Sequence, residues 1–390
     1  MENFSFHSPT RFEFGKGTES KAGQLCKLYG ATKVLVHFGG GSALKSGLLK
    51  RVTDSLEAEG LAYVTLGGVQ PNPRSGLVYQ GIDLARKEGV DFILAVGGGS
   101  VIDSAKAIAF GTLYEGDFWD FHEPKTPVPK ALPVGTVLTI PAAGSEGSYN
   151  CVITKEETLK KRGTNGECLR PKFSIMNPEL CATLPAYQTA SGVADIMAHV
   201  LERYFSPTED VEITDRLCEA LLLTVVKEAP KLIKNPADYQ ARANVMWAGM
   251  LAHNNSCGVG RVQDWTSHGL EHELSALYDV AHGAGLAVIF PSWMEYVLEK
   301  GTDKLVQLAN RVFEIEIDKN DPRITARAGI DAMREFFKKL GLPTTLREIG
   351  AKEEDLPFMA GNLDYRPDGT YGGFVKITKE DAENIFRLAW

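Results

Sequence analysis

Hydrophobic and polar positions follow different periods in the two halves of the chain. In the first half, short apolar and β-branched runs alternate with amphipathic helical patterns. The pattern predicts strands at residues 33–38, 62–66 and 90–96 and helices at residues 48–59, 76–88 and 101–110. Such alternation predicts a mostly parallel sheet with helices on both faces.

The second half is dominated by the helical period. From about Gln188 onward the strand signal fades, and we predict helices at residues 211–232, 239–252 and 324–340, with a last helix that begins near Thr378 or Lys379. Pro185 can interrupt regular structure at the join. We therefore expect an α/β domain over residues 1–185 and an all-α domain over residues 186–390.

Composition and charge narrow the class of protein. The 390 residues are 44% hydrophobic and 24% charged, which is typical of a globular protein. The formal charge of -8 without a basic tract argues against nucleic acid or an anionic membrane as a partner. No apolar run approaches the ~20 residues that span a bilayer, and the first residues do not resemble a signal peptide. We therefore expect a cytoplasmic location.

Histidines and one aspartate recur at short spacings within apolar helical patterns. Asp195 and His199 are four residues apart, so both side chains project from one side of a helix. His268 and His272 repeat that spacing, and His282 follows in Ala-His-Gly. A carboxylate and imidazoles arranged in this way can bind one divalent cation.

His268 and His282 can share an ion only if the helix between them breaks. On one continuous helix, residues fourteen apart would be roughly 21 Å apart at ~1.5 Å per residue. The segment 276–280 is therefore predicted to end one helix, so that a new one begins near His282. The alternative is that these are ordinary surface or core histidines. Burial of unpaired imidazoles and a carboxylate is costly, which favours the metal site.

Two glycine clusters follow predicted strands. Gly97, Gly98 and Ser100 join a strand to a helix, where backbone amides and the helix N-terminus favour an anion such as a pyrophosphate, and Asp103 lies one turn further on. The alternative is a tight turn that needs no ligand. With a ligand, the first half is a Rossmann-like nucleotide-binding domain.

The second cluster bears on the choice of nucleotide. Gly39, Gly40 and Ser42 follow the first predicted strand, where a nucleotide fold places the adenosine ribose. An acidic residue there would bind the ribose 2′-hydroxyl and repel a 2′-phosphate, and none is present. Ser42 and Lys45 could hold the phosphate, so NADP(H) is favoured while NAD(H) stays possible.

The chain resembles the iron-dependent (group III) alcohol dehydrogenases, and within them the NAD(P)H-dependent butanol dehydrogenase and aldehyde reductase branch. The resemblance runs nearly end to end, through the motifs Phe12-Glu-Phe-Gly-Lys-Gly17, Gly39-Gly-Gly-Ser42, Val69-Gln-Pro-Asn-Pro73, Gly97-Gly-Gly-Ser-Val-Ile-Asp103, Gly144-Ser-Glu146, Asp195-x3-His199 and the segment from His268 to Gly285. The last segment is the most specific of these motifs.

The resemblance implies a role for each matching residue. The implied metal ligands are Asp195, His199, His268 and His282, while His272 lies beside the substrate. Gly97, Gly98 and Ser100 would bind pyrophosphate, with Asp103 supporting the turn. Asn72 and Thr139 would lie near the nicotinamide half, and Lys161, Thr183 and Leu184 near the adenosine half. One departure is Ala143, where the family usually has a threonine that could contact the cofactor.

The resemblance implies reversible hydride transfer between NAD(P)H and a short- to medium-chain aldehyde or alcohol. The resemblance implies that the metal is Fe(II), and Zn(II) is the alternative because imidazole and carboxylate ligands accept both ions. His272 would relay a proton, or else orient a neighbour from outside the ligand set.

Three other functions remain open from the sequence. They are a polyol dehydrogenase, a lyase of the dehydroquinate synthase type and a nucleotide-binding sensor without turnover. Apolar residues near the ligands, including Trp265, Leu270 and Leu274, disfavour a polyanionic substrate. The segment Arg11–Phe14 reads as an edge strand that could pair across a homodimer.

Overall fold

The computed structural model describes residues 1–123 and 125–390, which divide into two compact units. One unit is His7–Thr183, and the other is Leu184–Trp390 together with Met1–Phe6. The strands are β1 (Arg11–Phe14), β2 (Lys33–Phe38), β3 (Ala62–Leu66), β4 (Phe92–Gly97), β5 (Val134–Leu138), β6 (Asn150–Lys155), β7 (Lys160–Asn165) and β8 (Phe173–Met176). The helices of the first unit are α1 (Ala22–Leu28), α2 (Ser42–Lys45), α3 (Leu48–Ala58), α4 (Ser75–Glu88) and α5 (Gly99–Leu113).

The first unit is built on a six-stranded parallel sheet in the order β1-β8-β5-β4-β2-β3. Its central strand β4 is buried along its whole length, as expected for a strand covered on both faces. A separate antiparallel hairpin, β6–β7, was not predicted from the sequence. The mostly parallel α/β architecture is confirmed.

The strand order reverses between β2 and β4. From β2 the chain moves outward to β3, and it then returns to the other side of β2 to form β4. Phe38 pairs with Val96, so the two glycine clusters leave the sheet at neighbouring strand ends. A reversal of this kind opens a crevice at the carboxyl ends of the strands, where ligands bind in open α/β sheets.

The second unit consists mostly of helices. They are α6 (Ala186–Tyr204), α7 (Glu212–Lys234), α8 (Tyr239–His253), α9 (Thr266–Tyr278), α10 (His282–Phe313), α11 (Pro322–Lys339), α12 (Leu346–Ile349), α13 (Leu356–Gly361) and α14 (Lys379–Leu388). Their apolar faces form one core that includes Phe290, Trp293 and Phe337. The helices predicted from periodicity agree with these bounds within a few residues.

The predicted helix break is confirmed. α9 ends at Tyr278, Asp279 takes a left-handed conformation at φ 51°, and α10 begins at His282. Across residues 1–123 and 125–390, no helix is both long and apolar enough to cross a membrane.

Candidate active site

Helix α6 presents Asp195 and His199 on one buried face. The side chains are one turn apart, and His199 Nε2 lies 3.3 Å from Asp195 Oδ1. Residues from 189 to 204 of this helix are buried on all sides, so neither group is exposed to bulk water. The helical period predicted this pair, and the structure places it in the core of the second unit.

Helices α9 and α10 bring two more imidazoles to the same carboxylate oxygen. The distances from Asp195 Oδ1 are 3.9 Å to His268 Nε2 and 3.8 Å to His282 Nε2. α10 can approach α6 because residue 283 is glycine; a Cβ there would lie 1.8 Å from the carbonyl oxygen of Ser191. We call Asp195, His199, His268 and His282 the histidine cage.

The histidine cage has the dimensions of a metal site. Ligand atoms at about 2.1 Å from a tetrahedral ion are about 3.4 Å from one another, close to the three distances above. Asp195 Oδ1 and His268 Nε2 are buried, and neither has a hydrogen-bond partner within residues 1–123 and 125–390. Three imidazoles and one carboxylate form a donor set that divalent iron and zinc both accept. The residues therefore fit a divalent cation.

The electrostatics differ between two histidines of the cage. Burial, with nearby His253 and His268, moves the pKa of His199 well below its ordinary value. Burial also acts to lower the pKa of His268, but the carboxylates of Asp195 and Glu202 outweigh it and raise that pKa to about 9. A cation at His268 Nε2 would take the place of the proton that these carboxylates favour.

Two buried glutamates contact histidines of the cage, and neither was predicted from the sequence to belong to the site. Glu202 Oε1 accepts from His268 Nδ1 at 2.8 Å, and the Glu271 carboxylate contacts His282 Nδ1. The signal for Glu202 was present, because it lies seven residues after Asp195 and three after His199 on the same helical face. Glu271 lies three residues after His268, one turn along α9.

The predicted proton relay His272 lies beside the cage and not within it. Its ring centroid is 5.5 Å from that of His282 and 6.4 Å from that of His268, and the side chain is half-buried. Ligand atoms of Glu271, His272 and His282 also approach one another within 4.8 Å, as do those of Asp195, His268 and His282. His282 is common to both groups.

A second layer of aromatic and basic groups packs against His199. The His253 ring lies 4.0 Å from the His199 ring, and Arg203 Nη2 contacts His253 Nδ1 at 3.1 Å. The Arg203 guanidinium also lies 4.8 Å from the ring centre of Trp265. Trp265 has a φ of 69°, an uncommon conformation for a bulky residue, immediately before α9.

In the first unit, the residues Gly97–Ser100 form what we call the glycine turn. A Cβ at position 97 would lie 2.4 Å from Val101 Cγ2, and one at position 98 would lie 2.9 Å from Ile140 Cβ. The Gly97 carbonyl accepts from the backbone amide of Thr139 at 3.0 Å. Side chains are therefore excluded where the N-terminus of α5 begins, as an anion cradle requires.

Buried charges hold the glycine turn from behind. The Asp103 carboxylate accepts from Ser145 Oγ and from the backbone amide of Val152 at 2.9 Å. Lys106, fully buried, donates to the carbonyl oxygens of Ser145, Ser148 and Asn150 at 2.8–3.0 Å. Burial lowers the pKa of Lys106 to about 8 and raises the pKa of Asp103. A supporting role for Asp103 was expected from the resemblance, whereas none was expected for Lys106.

The glycine cluster after β2 is open. Gly40 and Ser42 are exposed, and a Cβ at position 40 would meet no atom within 4 Å. Gly39 lies near α5, since its Cβ would be 3.6 Å from Val101 Cγ2. The Lys45 side chain approaches Gly41, with its Cε 3.5 Å from where a Cβ of Gly41 would be.

Two residues that the resemblance assigns to opposite halves of a dinucleotide are in contact. Lys161 Nζ donates to Asn72 Oδ1 at 3.0 Å, and both side chains are buried. The contact brings the two side chains together, and their assignment to the nicotinamide and adenosine halves stays a prediction. The neighbouring Lys160 instead pairs with Glu123 near the surface.

The remaining predicted residues lie at chain turns. Thr139 directly follows β5, at the same edge of the sheet as the glycine turn. Thr183 is exposed and Leu184 is half-buried, just before α6. Ala143 is near the glycine turn, because a Cβ added at Gly99 would lie 3.0 Å from the Cβ of Ala143.

Comparison with known proteins identifies the family. The family model for iron-containing alcohol dehydrogenases matches residues 9–178. A second family model, for the C-terminal region of the Fe-containing alcohol dehydrogenase family, matches residues 189–390. The NADH-dependent butanol dehydrogenase A of Clostridium acetobutylicum is 41% identical over 391 residues, which cover 100% of both chains. The NADPH-dependent aldehyde reductase YqhD of Escherichia coli is 37% identical, also over 100% of both.

A solved structure agrees over the whole chain. The NADH-dependent butanol dehydrogenase A of Thermotoga maritima superposes with a TM-score of 0.96 at 42% identity, covering 100% of this chain and 99% of that one. More distant is the 1,3-propanediol dehydrogenase of Citrobacter freundii, 30% identical over 99% of both chains. The protein is thus a metal-dependent oxidoreductase by fold and site. It belongs to the iron-containing alcohol dehydrogenase family, as the sequence predicted.

Proposed function

We propose that this protein reduces short- to medium-chain aldehydes, such as butanal, to the corresponding alcohols with NAD(P)H, and catalyses the reverse oxidation. The observation that carries the proposal is the histidine cage, in which three imidazole Nε2 atoms surround the buried Asp195 Oδ1 at 3.3–3.9 Å. The names of the relatives at 37–41% identity, butanol dehydrogenase and aldehyde reductase, support the same substrate class.

When bound, the metal ion would polarise the carbonyl oxygen and the nicotinamide would supply the hydride. Asp195, His199, His268 and His282 would hold the cation; the first three are buried, and the His282 side chain is 22% exposed. The glycine turn would receive the pyrophosphate at the N-terminus of α5. Gly39, Gly40, Ser42, Asn72, Thr139, Lys161, Thr183 and Leu184 are the further proposed contacts of the nucleotide.

His272 is proposed to deliver the proton that completes aldehyde reduction. It is half-buried, one turn from His268 on α9, and its ring lies 5.5 Å from the ring of His282. A histidine in that position can exchange protons with water without leaving the site.

For the nucleotide we propose a preference for NADPH. The turn after β2 carries no acidic side chain to repel a 2′-phosphate, and Lys45 lies beside Gly41. The relatives' names divide between NADH and NADPH, so direct rate measurements must decide. Higher or equal kcat/KM with NADH would contradict this preference.

The metal is proposed to be Fe(II), on the strength of the family, with Zn(II) as the competitor for the same donors. We also propose a cytoplasmic homodimer. β1 lies at the edge of the six-stranded sheet, a position from which a strand can pair with a second copy.

The decisive experiment is an initial-rate comparison on protein of measured metal content. Butanal, shorter and longer aldehydes, and glycerol or 1,3-propanediol in the oxidative direction would be assayed with NADPH and NADH. We expect the highest kcat/KM with a simple aldehyde. Higher kcat/KM with a polyol would establish the polyol dehydrogenase alternative, and no turnover by metal-replete protein would contradict the enzymatic function.

A further inference from the structure

Glu202 is placed to hold the cage histidine His268 in one orientation. It lies on the face of α6 that carries Asp195 and His199, and its side chain is fully buried. Glu202 Oε1 accepts from both the backbone amide and Nδ1 of His268 at 2.8 Å, and Oε2 accepts from the backbone amide of Trp265 at 2.7 Å. One carboxylate thus satisfies amides at the start of α9 and fixes the ring of its first histidine.

Glu271 bears the same relation to His282. Its carboxylate contacts His282 Nδ1, while His282 Nε2 lies 3.8 Å from Asp195 Oδ1. The sequence makes room for this carboxylate, since a Cβ at Gly285 would lie 2.7 Å from Glu271 Oε1. The glycine in Ala-His-Gly-Ala-Gly285 therefore allows close packing of α10 against a buried carboxylate of α9.

We propose that Glu202 and Glu271 are positioning residues that set the metal affinity of the histidine cage. A neutral imidazole carries its proton on one nitrogen only. A carboxylate that accepts from Nδ1 keeps the proton there, so that the Nε2 lone pair is available to a cation, and it makes that nitrogen a stronger donor. The inference deepens the proposed function, because it rests on the cage being a metal site.

The third cage histidine provides an internal contrast. His199 Nδ1 is buried and has no hydrogen-bond partner within residues 1–123 and 125–390, and the neighbouring ring is that of His253. His268 and His282 are thus the two cage histidines with a carboxylate at Nδ1. Removal of either carboxylate should weaken metal binding, although neither is a predicted ligand.

Glu271 also belongs to a second group of potential metal ligands. Its carboxylate lies within 4.8 Å of nitrogen atoms of both His272 and His282, a grouping that could itself bind an ion. In that arrangement His282 Nδ1 would face a second cation and would carry no proton. The two roles predict different numbers of ions per chain, so stoichiometry separates them.

The test measures Co(II) binding to metal-free protein by equilibrium competition with a chelator, and follows the visible absorption of bound Co(II) as a report on ligand geometry. The variants are E271Q, E271A and E202Q. The matched control is E219Q, which neutralises a buried carboxylate that bonds instead with Tyr204 and Arg311. Circular dichroism and thermal melting of the metal-free proteins establish that each variant is folded.

We expect one Co(II) per chain in the parent protein and an affinity about 10- to 100-fold lower in E271A. E271Q and E202Q each retain a carbonyl oxygen that can accept from Nδ1, so their losses of affinity should be smaller than that of E271A. The Co(II) absorption should shift in these variants and stay unchanged in E219Q. If E202Q does not fold, the graded pair at residue 271 still decides the proposal.

Two outcomes would overturn the proposal. One is parent-like Co(II) affinity and absorption in folded E271A. The other is two ions in the parent and one in E271A with the tighter site unaltered, which would make Glu271 a ligand. Because no substrate or nucleotide is present, these results are independent of aldehyde turnover, and failure of the proposed reaction would leave them interpretable.

Discussion

The histidine cage and the glycine turn hold their expected ligands by opposite means. The cage depends on charged and polar side chains that converge at a mostly buried position, whereas the turn depends on the absence of side chains around the start of a helix. The contrast shows where each is vulnerable. The cage should lose its metal when a side chain is removed. The turn should bind nucleotide less well when a side chain is added, and it should become less stable when the groups behind it are lost.

The largest effect should come from removing a cage ligand. In H268A the cation loses one of four donors, so we expect metal content to fall and kcat/KM for butanal to decrease by about 10³-fold or more. Metal analysis and steady-state kinetics would measure both. The control is H7A, since His7 is an exposed histidine whose side chain retains 70% of its accessibility. Full activity in metal-poor H268A would refute the assignment.

The glycine turn also depends on side chains, but on ones that lie behind it. In K106M the buried Asp103 carboxylate loses a nearby cation, and three carbonyl oxygens lose their donor. We expect the free energy of unfolding to fall by about 3 kcal/mol, as urea denaturation would show. K160M removes a partly exposed lysine paired with Glu123 and should cost less than about 1 kcal/mol. Equal losses in the two variants would contradict the buried role of Lys106.

Adding a side chain to the glycine turn tests whether the turn requires the absence of side chains. In G98V the new Cβ would lie 2.9 Å from Ile140 Cβ, so the turn must shift away from its present position. We expect the KM for the nucleotide to rise about tenfold or more while metal content is unchanged. G163A is the control, because a Cβ there makes an ordinary 3.6 Å contact with Val152. Loss of metal in G98V would mean that a change at the glycine turn also affects metal binding in the histidine cage.

The same contrast explains how far the sequence could lead. The helix break between His268 and His282 was predictable, because two ligands of one ion cannot lie roughly 21 Å apart. Glu202 and Lys106 were missed because such residues in helices are usually exposed, and burial depends on which helices pack together. The contact between Asn72 and Lys161 joins residues 89 positions apart, so local pattern gives no sign of it.

The smallest effect concerns Ala143, where family members usually carry a threonine. Its methyl group is next to the glycine turn, with its Cβ 3.0 Å from where a Cβ of Gly99 would lie. If the hydroxyl of A143T reaches the bound nucleotide, one added hydrogen bond should lower the KM for the nucleotide about threefold. A143S supplies the hydroxyl without the methyl group, and A143V supplies the added bulk without the hydroxyl. A gain in A143T and A143S but not in A143V would assign the effect to the hydroxyl. A higher KM in all three variants would instead show that the turn tolerates no larger side chain at residue 143, which would extend the exclusion of side chains beyond the glycines themselves.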